Sequence, residues 1–204
     1  PKFKAITTDN GVRGDSELTK IARLKPAFDR KFGTLTAANS SFLTDGASAV
    51  MLMSESKAKE LGFLPKAEVV DFVFTGQRLE DELLLGPAYA VSQLLMRQKL
   101  TLADLDVIEF HEAFAGQILS NLKALASDEY SQKYFGREKA LGEIPMEKFN
   151  LWGGSLSIGH PFGATGGRLV TTTCNRLAHE KGTYGLLAAC AAGAHGHAML
   201  LKNI

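Results

Sequence analysis

Apolar positions recur along this chain at two rhythms. Between Arg168 and Lys181, Leu169, Val170, Cys174 and Leu177 fall at helical spacing and predict an amphipathic helix. Gly86 to Gln98 predicts another, with Pro87 in its first turn and Leu94 and Leu95 on its apolar face. Ser54 caps a third, which runs to Leu61 and is ended by Gly62. Ser16 to Leu24 reads as a short helix capped by Ser16. Apolar or β-branched runs predict strands over Glu68 to Thr75, Leu105 to Phe110, Tyr184 to Cys190 and His197 to Lys202, the last antiparallel to the one before it. Ala47 to Met53 is an unbroken apolar run and predicts a buried strand. His111-Glu112-Ala113-Phe114-Ala115 opens a helix that runs to Ala126. Turn chemistry marks Asp9-Asn10-Gly11, Thr44-Asp45-Gly46 and the small residues from Ala191 to Gly196. Ser127 to Phe149 is polar, charged and broken by Gly136, Gly142 and Pro145, and reads as an inserted surface segment. Strands alternating with helices predict an α/β domain, a mixed β-sheet covered by helices.

Composition narrows the function classes. With 45% hydrophobic and 22% charged residues, the 204-residue chain is globular rather than disordered. A net charge of +1 gives no electrostatic reason to expect a nucleic acid or an anionic membrane as partner. Two cysteines, Cys174 and Cys190, are too few for a disulfide scaffold and suit a reducing compartment. No apolar run reaches the roughly 20 residues of a membrane span. The chain opens on Pro1 without a preceding targeting pattern, which fits a fragment or a processed product.

Three segments carry candidate chemistry. The run from Gly153 to Gly167 sets His160 among glycines, serines and a threonine, a composition suited to close backbone approach to a ligand or to aiming one side chain. It feeds a helix N-terminus, where free N–H groups favour negative charge. His111-Glu112 and Cys190 each follow, or end, a predicted strand. Strand ends gather at one edge of an open α/β sheet, where ligands usually bind, so the three can converge. A Cys with a His nearby is the combination thiol chemistry needs, because the imidazole draws the proton and the thiolate reacts. Each has a plainer reading. Cys190 closes an apolar strand and fits a buried structural thiol. His160 fits a structural residue in a tight turn, His111 a helix cap, and Glu112 a solvated first-turn carboxylate. Cys174 sits mid-helix and belongs to the core. A zinc site from Cys190, His160, His195 and His197 matches no common ligand spacing, so no metal is expected.

Read in order, these segments resemble the thiolase family. His111-Glu112-Ala113-Phe114-Ala115 is similar to its Asn-Glu-Ala-Phe-Ala motif, with His for Asn. The stretch from Gly159 to Gly166 matches the Gly-His-Pro motif, and Cys190-Ala191-Ala192-Gly193 stands in the place of the C-terminal Cys-x-Gly motif. Thr36 to Ser41 with Thr44 to Ala47 resembles the segment joining the CoA-binding loop domain to the core, and Lys25-Pro26-Ala27-Phe28 the end of that loop domain. His at 111, the long segment from Ser127 to Trp152 and the Cys-Ala-Ala-Gly order place the likeness in the degradative branch of the family.

The resemblance implies the C-terminal half of a thiolase fold with the tail of the loop domain. Residues 1–32 would end the loop domain, 33–66 would complete the N-terminal core domain, and 67–204 would form the C-terminal core domain with an insertion at about 127–150. It implies thiolytic cleavage of a 3-ketoacyl-CoA by CoA, with CoA as substrate and no resident cofactor. The nucleophilic Cys of the family lies in its first half and neither Cys here occupies its motif, so the chain alone is expected to be inactive. Carried over by position, His160 activates that Cys and helps form an oxyanion hole, Cys190 is the acid/base, and His111 holds the hole's water or donates to the oxyanion itself. The backbone N–H of Ala192 serves a second oxyanion hole, Phe114 covers the thioester, Ser41 meets the pantetheine arm, and Arg13 meets the nucleotide end of CoA. Gly is usual in the family where Ala192 and Ala194 stand, so a backbone donor at Ala192 requires a negative φ. The resemblance further implies a homodimer or larger oligomer, a hydratase/dehydrogenase α subunit as a further partner, and a mitochondrial location, with the bacterial cytoplasm as the alternative. Contact of the insertion with that subunit or a membrane surface stands beside a plain solvated loop. Two other readings use the same residues: a non-catalytic CoA-binding or assembly fragment, and an acetyl-CoA acetyltransferase working in the condensing direction.

Overall fold

The computed structural model describes residues 5–204. Its helices are α1 (Leu18–Ile21), α2 (Glu55–Leu61), α3 (Leu79–Glu82), α4 (Gly86–Gln98), α5 (Ala115–Leu125), α6 (Asp128–Tyr130), α7 (Ser155–Ile158) and α8 (Thr165–Glu180). Its strands are β1 (Ala67–Gly76), β2 (Val107–Phe110), β3 (Tyr184–Ala191) and β4 (His195–Asn203). They form one sheet in the order β1-β4-β3-β2. β4 runs antiparallel to both neighbours and β2 parallel to β3, the mixed sheet expected. The parallel pair has α5 and α8 between its members in sequence, as a crossover connection requires.

Side-chain alternation assigns the two faces. Ile108, Phe110, Leu186, Ala188, Ala198 and Leu200 join α4 and α5 in one apolar cluster. Val107, Leu187 and Leu201 join Leu169 and Leu177 of α8 in the other. Gly86 lets the start of α4 rest on β4. A Cβ there would lie 2.4 Å from the Cα of Gly196 and 2.6 Å from its backbone N. Gly86→Ala is therefore expected to lower stability by about 1–3 kcal/mol, as overpacking does, measured by urea unfolding.

Three expectations are corrected. Ser16 does not cap α1; Glu17 stands at that position, and the Ser16 hydroxyl donates to the Arg13 carbonyl. Ala47 to Met53 forms no strand and is exposed, with Met51 70% and Leu52 73% accessible. A strand needs a neighbour for its backbone groups, and the described residues offer this segment none. Ser127 to Phe149 is not a surface loop throughout. Ser131, Phe135, Ile144 and Phe149 are buried, and the aromatic rings of Tyr130 and Phe135 pack on Tyr89 of α4. Here Ser127 caps α6 and one π turn follows, Ser131–Phe135.

Candidate active site

The site is built on the C-terminal ends of β2 and β3. At the end of β2, Asn150 covers the strand edge that faces away from β3. The Asn150 side chain accepts from Phe110 N at 2.8 Å and donates to Phe110 O at 3.0 Å. The same amide donates to Glu112 Oε1 at 2.6 Å, and Glu112 Oε2 accepts from Leu156 N in α7 at 3.0 Å. Glu112 is thus a clamp between β2 and the Gly-rich loop, not a solvated carboxylate. Gly154 makes room for it, since a Cβ there would lie 2.1 Å from Glu112 Oε2.

The Gly-rich loop is held from its other side by residues 42–48. His160 N donates to Phe42 O at 2.9 Å, and Ser48 Oγ donates to Ala164 O at 2.7 Å. Gly159 takes φ 90° with Thr44 against it. Both constraints fix the His160 backbone. Its ring is fixed by Thr165, the first residue of α8, whose Oγ1 lies 2.7 Å from Nδ1. Among the described residues Nε2 has no hydrogen-bond partner.

His111 and His160 meet, with ring centroids 4.2 Å apart. Nδ1 of His111 lies 2.9 Å from Ser155 Oγ. His111 is 3% exposed, and burial, then the charges of His160 and Arg168, pull its pKa down to about 3. Burial, then Arg168, also lowers His160. Both shifts favour the neutral imidazole near pH 7. His111 is not a helix cap; Phe114 takes that position.

Cys190 sits at the same sheet edge. Its strand neighbour Ala188 accepts the N–H of His111, and Gly196 pairs with Cys190 across the hairpin. Burial pushes the Cys190 thiol up to about 11, which keeps it protonated at neutral pH. Among the described residues no hydrogen bond joins it to His111 or His160. By alternation Cys190 shares the row of Leu186 and Ala188, which faces α4. Ala192 lies exposed in the β3–β4 turn and is not among the residues at positive φ, so its backbone carries no left-handed strain. Ala194 does take φ 57°, a conformation that costs an L-residue about 1–2 kcal/mol. Ser41 N donates to Ala113 O at 2.9 Å, beside Phe114, whose ring meets Phe28 edge-on with centroids 5.6 Å apart. Arg13 is exposed in the arm before α1, and its side chain is not brought to the imidazole pair.

The family profile of the thiolase C-terminal domain matches residues 63–203, and that of the thiolase N-terminal domain matches residues 1–56. The chain belongs to the thiolase family. The bovine mitochondrial trifunctional enzyme subunit beta is 58% identical over 202 residues, which are 99% of this chain and 42% of that protein. A probable 3-ketoacyl-CoA thiolase of Caenorhabditis elegans is 54% identical, over 98% of this chain and 45% of its own. Human mitochondrial 3-ketoacyl-CoA thiolase, solved by crystallography, superposes with a TM-score of 0.82 at 31% identity, covering 96% of this chain and 45% of its own. This thiolase chain therefore spans less than half the length of these relatives.

Sequence reading missed Asn150, Ser155, Thr165 and Arg168. Only the position of Asn150 beside Gly153-Gly154 hinted at a backbone clamp; the others act across 5 to 44 residues of chain. The neutral His111 of this thiolase site has a consequence for stability. In the unfolded chain an imidazole takes a proton below about 6.5; in the fold it resists until about 3. Between those values the unfolded state holds more protons, so stability falls as pH drops, by up to about 1.4 kcal/mol per pH unit. His111→Asn is expected to flatten the dependence of the urea midpoint on pH in that window; an unchanged slope would contradict the buried neutral ring.

Proposed function

We propose that this chain supplies the C-terminal catalytic half of a 3-ketoacyl-CoA thiolase of fatty acid β-oxidation. The observation that carries the reading is the pair of neutral imidazoles in contact, presented by two loops that separate clamps hold. The nucleophilic Cys comes from the part of the relatives that lies outside their match to this chain. His160 takes its proton, and the thiolate adds to the C3 ketone. The C2–C3 bond then breaks, the acyl group stays on sulfur as a thioester, and the electron pair leaves on C2 of acetyl-CoA. Cys190 gives its proton to that carbon. The Cys190 thiolate then takes the proton of an incoming CoA thiol, whose sulfur attacks the thioester and frees the nucleophile. His111 donates to the C3 oxyanion directly or through water, and Ala192 N–H to the oxyanion of the second half-reaction. Fixed donors of this kind are worth roughly 10²–10³ in kcat each.

Phe114 covers the thioester, Ser41 meets the pantetheine arm and Arg13 the nucleotide end of CoA. A human thiolase of this fold has been solved in complex with CoA, which supports CoA as the substrate here. The trifunctional enzyme subunit beta relatives support an α subunit as partner and a mitochondrial location. We propose further that the α subunit carries hydratase and dehydrogenase activities and that the thiolase is a homodimer. The test is thiolysis of a 3-ketoacyl-CoA by this chain alone and after assembly with the N-terminal half of the bovine relative. Turnover is expected only in the assembly. A folded assembly that binds CoA and cleaves nothing would reject the enzyme in favour of a CoA-binding module.

A further inference from the structure

We propose that Ser155 and Arg168 are positioning residues that hold His111 as the Nε2–H tautomer, so that a neutral ring always presents a donor to the site. Ser155 is fully buried, and among the described residues its hydroxyl has two partners: Nδ1 of His111 at 2.9 Å and Nη2 of Arg168 at 3.2 Å. A guanidinium only donates, while a hydroxyl has one proton and two lone pairs. Ser155 therefore accepts from Arg168. If Nδ1 of His111 also donated to it, the Ser155 proton would be buried without an acceptor, a costly state. The arrangement that satisfies both the Ser155 hydroxyl and Nδ1 has Ser155 donating to Nδ1. The ring proton then sits on Nε2, the nitrogen away from Ser155.

The parts are held for this task. Ser155 opens α7, and the next residue, Leu156, gives its N–H to Glu112, the neighbour of His111. Arg168 lies in the first turn of α8, and the nearby Glu109 and Glu112 carboxylates favour its charged form against burial. A family Asn at position 111 would carry its donor on a fixed amide. An imidazole has two tautomers, and only one places a donor at Nε2. Ser155 removes that ambiguity. The catalytic consequence rests on the thiolase reading; the tautomer itself does not.

The test is a long-range proton–nitrogen correlation spectrum of the assembled protein labelled with 15N-histidine, with the His111 signals assigned by their loss in His111→Asn. The wild type is expected to show a bare Nδ1 and a protonated Nε2. Ser155→Ala is expected to give a mixture of tautomers and to lower kcat for thiolysis about 10-fold, less than loss of a donor outright, with KM unchanged. Ser155→Thr, which keeps the hydroxyl, restores both. A proton on Nδ1 in the wild type, or a ring state that Ser155→Ala does not alter, overturns the assignment. The expected tautomer in a protein that cleaves no 3-ketoacyl-CoA would uphold it and reject the thiolase reading instead.

Discussion

Cys190→Ser in the assembled enzyme is expected to remove nearly all turnover, a fall of about 10²–10⁴-fold, the usual contribution of a positioned acid/base. Ser is close to Cys in shape, so the sheet edge survives the change. What is lost is a group that can be both acid and base. Burial holds the Cys190 thiol up at about 11, so at neutral pH it begins each cycle protonated and ready to quench a carbanion. A hydroxyl is a far weaker acid, and the alkoxide it leaves is too unstable to wait for the incoming CoA. KM for CoA should stay near its wild-type value, because the change acts on proton transfer rather than on binding. Retention of more than about a tenth of wild-type kcat would remove Cys190 from the mechanism and leave it a buried structural thiol. The alternation that sets it in the row of Leu186 and Ala188 makes this measurement decisive. The acid/base role requires Cys190, the next-to-last residue of β3, to present its sulfur toward the imidazole pair.

Much of the fold was legible where local chemistry decides. Ser54 and Gly62 bracket α2 as their residue types require, with the Ser54 hydroxyl accepting from Lys57 N at 3.2 Å and Gly62 at φ 72°. The parallel pairing of β2 with β3 follows from the crossover between them. Ala47 to Met53 shows where local reading ends. Its composition suits a strand, but a strand is a relation between two segments, and within the described residues this one has no partner. The polar segment after α5 failed for the opposite reason. Few apolar residues, Phe135, Ile144 and Phe149 among them, are spread through charged sequence with no period, yet each finds the core. At the site, motif residues His111 and His160 were legible and the groups that orient them were not. Asn150, Ser155, Thr165 and Arg168 act through single atoms brought together by loops, and no spacing rule marks them.

Arg176→Met tests what keeps the two imidazoles in register. Arg176 and Glu109 are both fully buried, joined by Nη1 to Oε1 at 2.7 Å. Arg176 also donates to Glu180 at 2.7 Å from Nε and to the Lys148 carbonyl at 3.1 Å from Nη1. Burial pushes the Glu109 carboxyl up, and Arg176 pulls it only part of the way back. Removing the guanidinium leaves that carboxylate in the core without its hydrogen-bonded partner and with only the more distant charge of Arg168, and the expected loss is about 3–5 kcal/mol by urea unfolding. Met fills much of the same volume, so the loss reports charge rather than a cavity. The double variant Glu109→Leu with Arg176→Met should recover most of it, because a buried pair and an apolar pair of similar size are often nearly equal in stability. A single variant within about 1 kcal/mol of wild type would show that Glu109 is neutral and that the pair contributes little. Position gives the pair its relevance to catalysis. Glu109 lies on β2, two residues before His111, and Arg176 lies on α8, which begins five residues after His160, so the ion pair ties together the two elements that flank the rings. The double variant, stable but without that tie, should therefore lose thiolysis while keeping its fold, which separates holding the core from holding the site.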